Sequence, residues 1–387
     1  MLNVGILGTS NIARKNIQAL ASATTAAAYV VGSRNADRAA KYAAECNVPK
    51  SYGSYTLVVE DPNVAAVYIP LPTTHHLEWV VKAAEMKKHI LCEKPLAINI
   101  EELIEMLRAV KANDVVFMDG VMFMHHQRLT QLRNVFDQSF GKAGPRQINS
   151  QFSFKGDASF FANNIRVSKQ GDPLGSLGDL GWYNVRFSLF TFGYQLPKSV
   201  RCVVQSSSED GVPYQVVGTM TWSEEEEEEK EEEEVVNNTE RQDVPIAPRS
   251  STFVCSFLAT ECQNVTICGE ECFVEMDDFV IPKDPMVTSF TTVKHNWGPK
   301  AQRIQVAREE TNCEGDQTVA MWECFASMAL GAANGKETET EKKDNSIKSK
   351  RDFFVEVAIK TQLVIDALME SSKNGGAEVL VPELPVV

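Results

Sequence analysis

The sequence predicts an α/β doubly wound parallel sheet followed by an α+β domain with a large, mostly antiparallel sheet. Three observations carry this. Over the first 120 or so residues, short apolar runs alternate with helix-period segments. Such runs, joined by helices, mark parallel strands covered on both faces. Beyond residue 124 the texture changes to consecutive strand-like runs after one or two helices, the pattern of an α+β domain. The chain's 387 residues exceed one ordinary core and suggest two domains, divided as 1–124 and 125–387.

In chain order, "NVGILG" reads as the first strand, and Ala13, Ile17 and Leu20 then recur at helical spacing. "AAAYVVGS" (26–33) is a second strand, followed by the helix "NADRAAKYAAEC" with Asn35 at its N-cap. "VAAVYIPL" (64–71) is a third strand and "LEWVVKAAEMKK" its helix. "HILCE" (89–93) is a fourth, "IEELIEMLRAVKA" a helix, and "VVFMDGVMF" (115–123) a fifth strand. A hinge is expected near 120–126. "RLTQLRNVFDQSF" and "GDLGWYNVRFSLFTFG" read as helices. "RQINSQFSFKG", "SVRCVVQSS", "YQVVGTMTW", "STFVCSFLA", "NVTICGE" and "ECFVEMDDFVI" read as strands. "GKETETEKKDNSIKSKR" (335–351) is a polar loop, and "DFFVEVAIKTQLVIDALMESS" a closing helix.

The formal charge of −14 is unevenly spread. Residues 224–234 hold ten Glu and one Lys; without them 42 acidic residues stand against 37 basic, a net of −5. The acidic tract (223–242) repels itself and reads as a solvated insertion at a hairpin tip, where extra chain costs little. Nothing in the charge balance favours a nucleic-acid partner. No run of 18 apolar residues suggests a membrane span. The first residues enter a strand at once, leaving no room for a targeting peptide. Nine scattered Cys suit free thiols in a reducing, cytoplasmic setting. Cys268 and Cys272 lack further ligands at metal spacing, and the adjacent His pairs 75–76 and 125–126 point to different faces, so no metal site is expected.

Four constellations bear on chemistry. "GILGTSNIARK" places Gly8 in a tight turn before a helix, with Ser10 where a second Gly is usual and Ala13 where Gly or Ala is usual. Such a turn lets backbone N–H groups approach a pyrophosphate. At the end of the second strand, Ser33 and Arg34 stand where an NAD-preferring protein has a carboxylate. A guanidinium there suits the 2′-phosphate of NADP(H), or is a solvated helix-start residue. In "HILCEKPLA", Lys94 follows the fourth strand, where ligands bind in such sheets, and Pro95 fixes the backbone. A surface Lys94 paired with Glu93 is the alternative. In "LGSLGDLGWYNVR" (174–186), Asp179 and Tyr183 are i, i+4 on one helix face, and Gly181 allows close approach. Read alone, Tyr183 also suits a packed core tyrosine and Asp179 an N-cap.

Together, "GILGTSNIA", "EKP" and "GDLGWY" resemble the Gfo/Idh/MocA oxidoreductase family, and the match runs over nearly the whole chain. "VYIPLPTTHHLEW", "DDFVIP" (277–282) and "AIKTQLVIDAL" (358–368) are also similar to family segments. Tyr183 in "D-x-G-x-Y" resembles the branch with dimeric dihydrodiol dehydrogenase, NADP-dependent xylose dehydrogenase and glucose–fructose oxidoreductase. "MDGVMFMHH" and "NNIRVSKQGDPLGSLGDLGWY" resemble a eukaryotic group of that branch. The resemblance implies a Rossmann domain plus an open-faced sheet domain, with homodimers formed through the sheets. It implies NADP(H), held by Gly8, Thr9, Ser10, Asn11, Ile12, Ser33, Arg34, Arg38, Leu71, Pro72, His76, Glu93 and Lys94. It places Lys94, Tyr183 and Asp179 in catalysis, and His126, Asn164, Arg166 and Trp182 near a sugar or diol substrate. Ser10, Thr73, Met124 and the Glu insertion depart from the family pattern, and Met124 stands where a substrate-holding Arg is common.

The implied chemistry moves a hydride to or from carbon and a proton to or from its oxygen. A Tyr hydroxyl, ordinarily near pKa 10, needs roughly 4 kcal/mol to reach 7. One cation at about 4 Å supplies that order of energy. Lys94 can be that cation and can bond the developing alkoxide. Equally, Lys94 can be the acid/base itself, with Tyr183 orienting substrate. A catalytically idle NADP-binding sensor or scaffold uses the same fold.

Overall fold

The computed structural model describes residues 1–141, 144–222, 248–297, 303–334 and 346–385. The acidic tract 223–242 therefore lies outside the described residues. So do residues 335–345 of the polar loop.

The first unit is a six-stranded parallel sheet. Its strands are β1 (Leu2–Leu7), β2 (Ala26–Gly32), β3 (Lys50–Tyr52), β4 (Ala66–Ile69), β5 (His89–Cys92) and β6 (Phe117–Asp119), in spatial order β3-β2-β1-β4-β5-β6. Between them run α1 (Asn11–Ser22), α2 (Ala36–Glu45), α3 (Tyr55–Glu60), α4 (His76–Glu85) and α5 (Ile100–Ala112). Alternate strand residues face opposite ways, and both faces are apolar. Val67, Ile69, Ile90, Cys92 and Phe117 pack with residues of α4 and α5. Ala66, Tyr68, Leu91, Val116 and Met118 pack on the other face with α1 and α2. Side-chain N-caps start the helices: Ser10, Asn35, Ser54 and Asn99 each accept a first-turn N–H.

The second unit follows a 3₁₀ turn (Met122–His125). It comprises α6 (Arg128–Ser139), β7 (Gln147–Ser153), α7 (Ala158–Asn163), α8 (Trp182–Thr191), β8 (Ser199–Ser207), β9 (Pro213–Thr221), β10 (Ser250–Ser256), β11 (Cys262–Cys268), β12 (Cys272–Met276), β13 (Val287–Trp297) and β14 (Arg303–Glu314). Helices α9 (Gln317–Asn334) and α10 (Ser346–Lys373) and strand β15 (Val379–Leu380) close the chain. The nine strands form one sheet, ordered β14-β13-β12-β11-β7-β10-β9-β8-β15. All its pairs are antiparallel except β7 with β10. Phe253, Cys255, Val216, Met220 and Ile148 point into the core beneath α8 and α10, while Thr252, Val254, Val217 and Thr219 lie on the other, partly exposed face.

The predicted fold class is the observed one, with corrections to elements. The short polar β3 and the whole stretch β13–α9 carry no element in the sequence reading. The run 115–123 is a strand only at Phe117–Asp119, because the chain turns at Gly120 into the 3₁₀ turn. The run 271–281 is a strand only at Cys272–Met276, with a single further bridge from Asp278 to Gln263. The polar loop at 335–351 is helical from Ser346. The helix read from Gly178 opens with a π-helical turn, Leu177–Gly181, before α8. The acidic tract joins β9 to β10, which pair with Thr221 opposite Ser250.

Helix α9 comes after the second sheet yet packs on the first. Met321, Trp322, Phe325, Ala326, Met328 and Ala329 share a core with Leu2, Val4, Ile6, Ile17 and Tyr68. Trp322 Nε1 donates to Asn16 Oδ1 at 2.9 Å, and Asn16 Nδ2 donates to the Tyr68 hydroxyl at 2.7 Å. Trp322→Ala should therefore cost about 3–5 kcal/mol, a buried aromatic lost, and Trp322→Phe about 1–3, one orphaned acceptor. Urea midpoints test this; a cost below 1 kcal/mol for Trp322→Ala would show that α9 is not part of the core.

Candidate active site

The order of the parallel sheet reverses between β1 and β4, and the crevice at such a reversal is where open α/β sheets bind ligands. Four segments leave the carboxyl ends of β1, β2, β4 and β5 there. After β1, Gly8 adopts φ +127°, a conformation side-chain residues avoid, and its N–H donates to Gly32 O at 3.0 Å. Ser10 Oγ caps α1 by accepting from Ala13 N–H at 3.2 Å, so the residue standing for a second Gly acts as a cap. The Asn11 and Ile12 N–H groups, in the first helical turn, have no intrahelical acceptor, and Thr9 precedes them, half-buried. N–H groups presented in this way can bond a phosphate.

Past β2, Ser33 is buried and its hydroxyl accepts from Asn35 N–H at 3.4 Å. Arg34 and Arg38 are exposed. An open groove of 450 Å³ is lined by Arg34, Tyr55, Leu71, Pro72, His75 and Trp79 among others. Both guanidinium groups lie near the Tyr55 hydroxyl. Past β4, His76 is buried, with Nε2 2.9 Å from Leu71 O and Nδ1 3.0 Å from Leu96 O. It thus ties the loop after β4 to the segment after Lys94.

Lys94 follows β5. It is not a surface lysine paired with Glu93. Its ammonium donates to Asp179 Oδ1 at 2.7 Å and to Asp179 O at 2.6 Å. It also lies 4.6 Å from the centroid of the Tyr183 ring. The π-helical turn holds Asp179 and α8 holds Tyr183, so the second unit supplies both partners. Arg166 Nε joins Asp179 Oδ1 at 2.8 Å, and Asn164 Oδ1 accepts the Arg166 N–H at 3.1 Å. Asn164 thus fixes the Arg166 turn. Burial alone would raise the Asp179 pKa; the Arg166 and Lys94 cations hold it below the usual range. Burial would likewise lower Lys94, but Asp179 outweighs it and keeps the ammonium charged. Asp179 caps no helix; it neutralises two cations.

Tyr183 departs from expectation. The cation sits over its ring rather than at its hydroxyl, which among the described residues reaches Met122 Sδ alone, at 3.6 Å. Phe123 and Phe152 pack against the same ring. Burial therefore pushes the phenol up to about 12 despite Lys94, instead of down towards 7. Glu93 is buried, accepts the Tyr68 hydroxyl at 2.5 Å, and continues the Trp322–Asn16–Tyr68 chain to the residue beside Lys94.

The structure does not bring His126 or Trp182 to this cluster. His126 Nδ1 accepts from Arg128 N–H at 3.1 Å; burial, Arg128 and the Asp278 and Asp316 carboxylates set its surroundings, and its pKa falls to about 4. Trp182 is fully buried in the core. Met124 packs in the core with Tyr194, whose hydroxyl lies 3.9 Å from its sulfur. The sequence reading missed Asp172, buried beside the cluster, and the Asn16–Tyr68–Glu93 chain. Their partners are distant in sequence, and only the fold assembles them.

Residues 2–121 match the model of an oxidoreductase family with an NAD-binding Rossmann fold. A D-xylose 1-dehydrogenase (NADP⁺) of Haloferax volcanii is 30% identical over 221 residues, covering 56% of this chain and 65% of that one. A trans-1,2-dihydrobenzene-1,2-diol dehydrogenase of Mus musculus is 31% identical over 52% of this chain and 60% of that one. Both matches thus span less than two thirds of the relative's length. A 3-ketoreductase from Actinomadura kijaniata, solved with NADP and TDP-benzene, superposes with a TM-score of 0.74 at 20% identity, over 96% of this chain and 97% of that one. An aldose-aldose oxidoreductase from Caulobacter crescentus gives 0.74 at 19%, over 98% and 99%.

Asp179→Asn leaves the buried Lys94 and the half-buried Arg166 without their counter-charge; the loss at Lys94 should cost about 3–5 kcal/mol at pH 7, and Arg166, reached by solvent, adds little. The folded pKa of Asp179 is depressed, so its stabilisation is present above the unfolded value near 4 and fades as pH falls below it. The gap between wild type and variant should narrow from pH 7 to pH 3 in urea titrations. A gap independent of pH would show that the carboxylate charge is not what stabilises.

Proposed function

From the match of residues 2–121 to an oxidoreductase family with an NAD-binding Rossmann fold and the similarity to two dehydrogenases over about half of the chain, we propose that this chain is a Gfo/Idh/MocA-type, NADP(H)-dependent oxidoreductase acting on CH–OH groups. It transfers a hydride between nicotinamide and a sugar or vicinal-diol hydroxyl, or the matching carbonyl. The observation that carries this reading is the charged Lys94, pinned by Asp179 at the end of a parallel strand and lying across the Tyr183 ring.

The Gly8 turn and the first turn of α1 suit the pyrophosphate. Arg34, with Arg38 nearby, suits a 2′-phosphate, because Ser33 and Arg34 rather than a carboxylate directly follow β2. The reduced nicotinamide supplies the hydride, and this chain's residues handle the oxygen. Lys94 stays charged and Tyr183 keeps its proton, so both enter the reaction as donors. That state suits carbonyl reduction: Lys94 stabilises the developing alkoxide and a proton passes to it. The Tyr183 hydroxyl, bonded only to a weak thioether acceptor, is available to turn to a better one. The partly exposed face of the second sheet, with Val203, Thr219, Thr252 and Val254, suits pairing of two copies into a homodimer, measurable as mass in light scattering. All nine cysteines are free thiols, which suits a reducing, cytoplasmic setting.

A panel of aldoses, diols and matching carbonyls with NADP(H) tests the activity. Nucleotide binding without turnover on any of them would favour the sensor reading. Lys94→Ala should lower kcat by about 10²–10⁴, the range for a positioned acid/base or its electrostatic support. Tyr183→Phe should fall in the same range, and the double variant should be little worse than either, as groups acting together are non-additive. Near-normal turnover in Lys94→Ala overturns the mechanism.

Arg34→Asp should weaken NADPH binding about 10- to 100-fold more than NADH binding, the scale of a charge-assisted phosphate contact. Nucleotide fluorescence titrations measure it; equal losses would mean that Arg34 does not read the phosphate.

A further inference from the structure

Asp172 is a group near Lys94 that the reaction above leaves unused. Its backbone N–H donates to Ile165 O at 3.1 Å and Ser168 O at 2.9 Å, closing the turn that carries Arg166. The adjacent Gly171 O accepts from Thr74 N–H at 3.3 Å, clamping this turn to the loop after β4. The Asp172 side chain points inward: the residue is 4% exposed, and among the described residues Oδ1 has no hydrogen-bond partner, while the Leu174 backbone N–H bonds the carboxyl. A methyl group at Gly178 would lie 3.4 Å from that oxygen and 3.0 Å from Pro95 Cγ. Gly178, with Leu174 Cβ 2.6 Å from the same point, thus lies between the unpartnered oxygen and Pro95 and lets them approach.

The charged groups acting on Asp172 come from three elements: Asp179 on the π-helical turn, Lys94 after β5, and Arg166 on its 3₁₀ turn. Both cations are bonded to Asp179, which fixes that carboxylate as ionised. Lys94, Arg166 and Asp179 together carry one net positive charge, which an ionised Asp172 cancels; the buried Glu93 carboxyl, which accepts the Lys94 backbone N–H at 3.3 Å, is a further titratable group acting on both cations, with its pKa raised by burial. A buried carboxylate with an unsatisfied oxygen is costly, and a second carboxylate nearby disfavours its charge further.

We propose that Asp172 is the proton store of this site: its buried carboxyl holds a proton near neutral pH and gives it up to solvent when a further cation, the oxidised nicotinamide ring, enters the cleft beside Lys94. The second half of this statement rests on the NADP(H) reading. The step is a simple ionisation, with no electrons exchanged. It makes the proton balance of nucleotide binding depend on redox state. Burial and Asp179, working against Lys94 and Arg166, push the carboxyl up to about 7, where such a store works.

Infrared titration of the full chain from pH 5 to 9 tests the first half. A protonated-carboxyl band should disappear with a midpoint near 7 and be missing in Asp172→Asn. Asp366, pushed up to about 6 by burial on α10, gives a second band that this variant leaves in place. Should Asp172→Asn fail to fold, Asp179→Asn decides: removing the neighbouring negative charge should lower the Asp172 midpoint by about one unit or more. No band with these responses overturns the proposal. Calorimetry at pH 7 in buffers of different protonation enthalpy tests the second half. NADP⁺ should release about half a proton per site more than NADPH, and Asp172→Asn should abolish the difference. Equal release by both nucleotides in the wild type overturns the coupling. If neither nucleotide binds, the NADP(H) reading falls, while the infrared result still decides whether Asp172 holds a proton.

Discussion

The buried ion pair between Lys94 and Asp179 sets the terms for everything around it. Two desolvated charges at 2.7 Å are tolerated only when geometry is tight and remaining donors and acceptors are occupied. Lys94 meets that demand by bonding both the carboxylate and the backbone carbonyl of Asp179, and Asp179 by taking Arg166 as a second cation. The partners belong to different units of the chain. A second cross-link of the same kind, Arg186 to Asp119 at 2.5 Å with Thr361 on the other guanidinium nitrogen, lies fully buried where β6 meets α8 and α10. The two units are thus joined by charges that neither could hold alone.

The fold class was legible because parallel strands buried on both faces read as continuous apolar runs, and those of β1, β2, β4 and β5 are unbroken. Strand β3 was not, since "KSY" has three residues and none is fully buried. Strands β13 and β14, the last two on one side of the sheet, carry Thr, Lys, Glu and Arg in place of a clean apolar phase. Helix α9 was hidden for another reason: it is apolar nearly all round, so periodicity does not separate it from a buried strand.

Within the site, residues tied to backbone geometry were readable. Gly8 requires a positive φ, Asn35 caps α2, and Lys94 follows a strand end. The electrostatic roles were less so. Lys94 was expected to lower the Tyr183 pKa by proximity, but proximity to the ring differs from proximity to the hydroxyl, and burial then dominates. His126 and Trp182 resembled site residues by position, whereas their side chains turn towards Arg128 and the core.

The placement of α9 also bears on how the chain is made. The face of the first sheet that holds Val4, Ile6 and Tyr68 is sealed by Trp322 and Phe325, which leave the ribosome about 200 residues after β6. At a synthesis rate of about 5–20 residues per second, that is on the order of 10–40 s. Through that interval the nascent first unit shows an apolar surface to the cell, and Asn16 lacks its indole partner. The amino-terminal unit is thus first to be translated and among the last to be finished, and its maturation is tied to completion of the carboxyl-terminal helices.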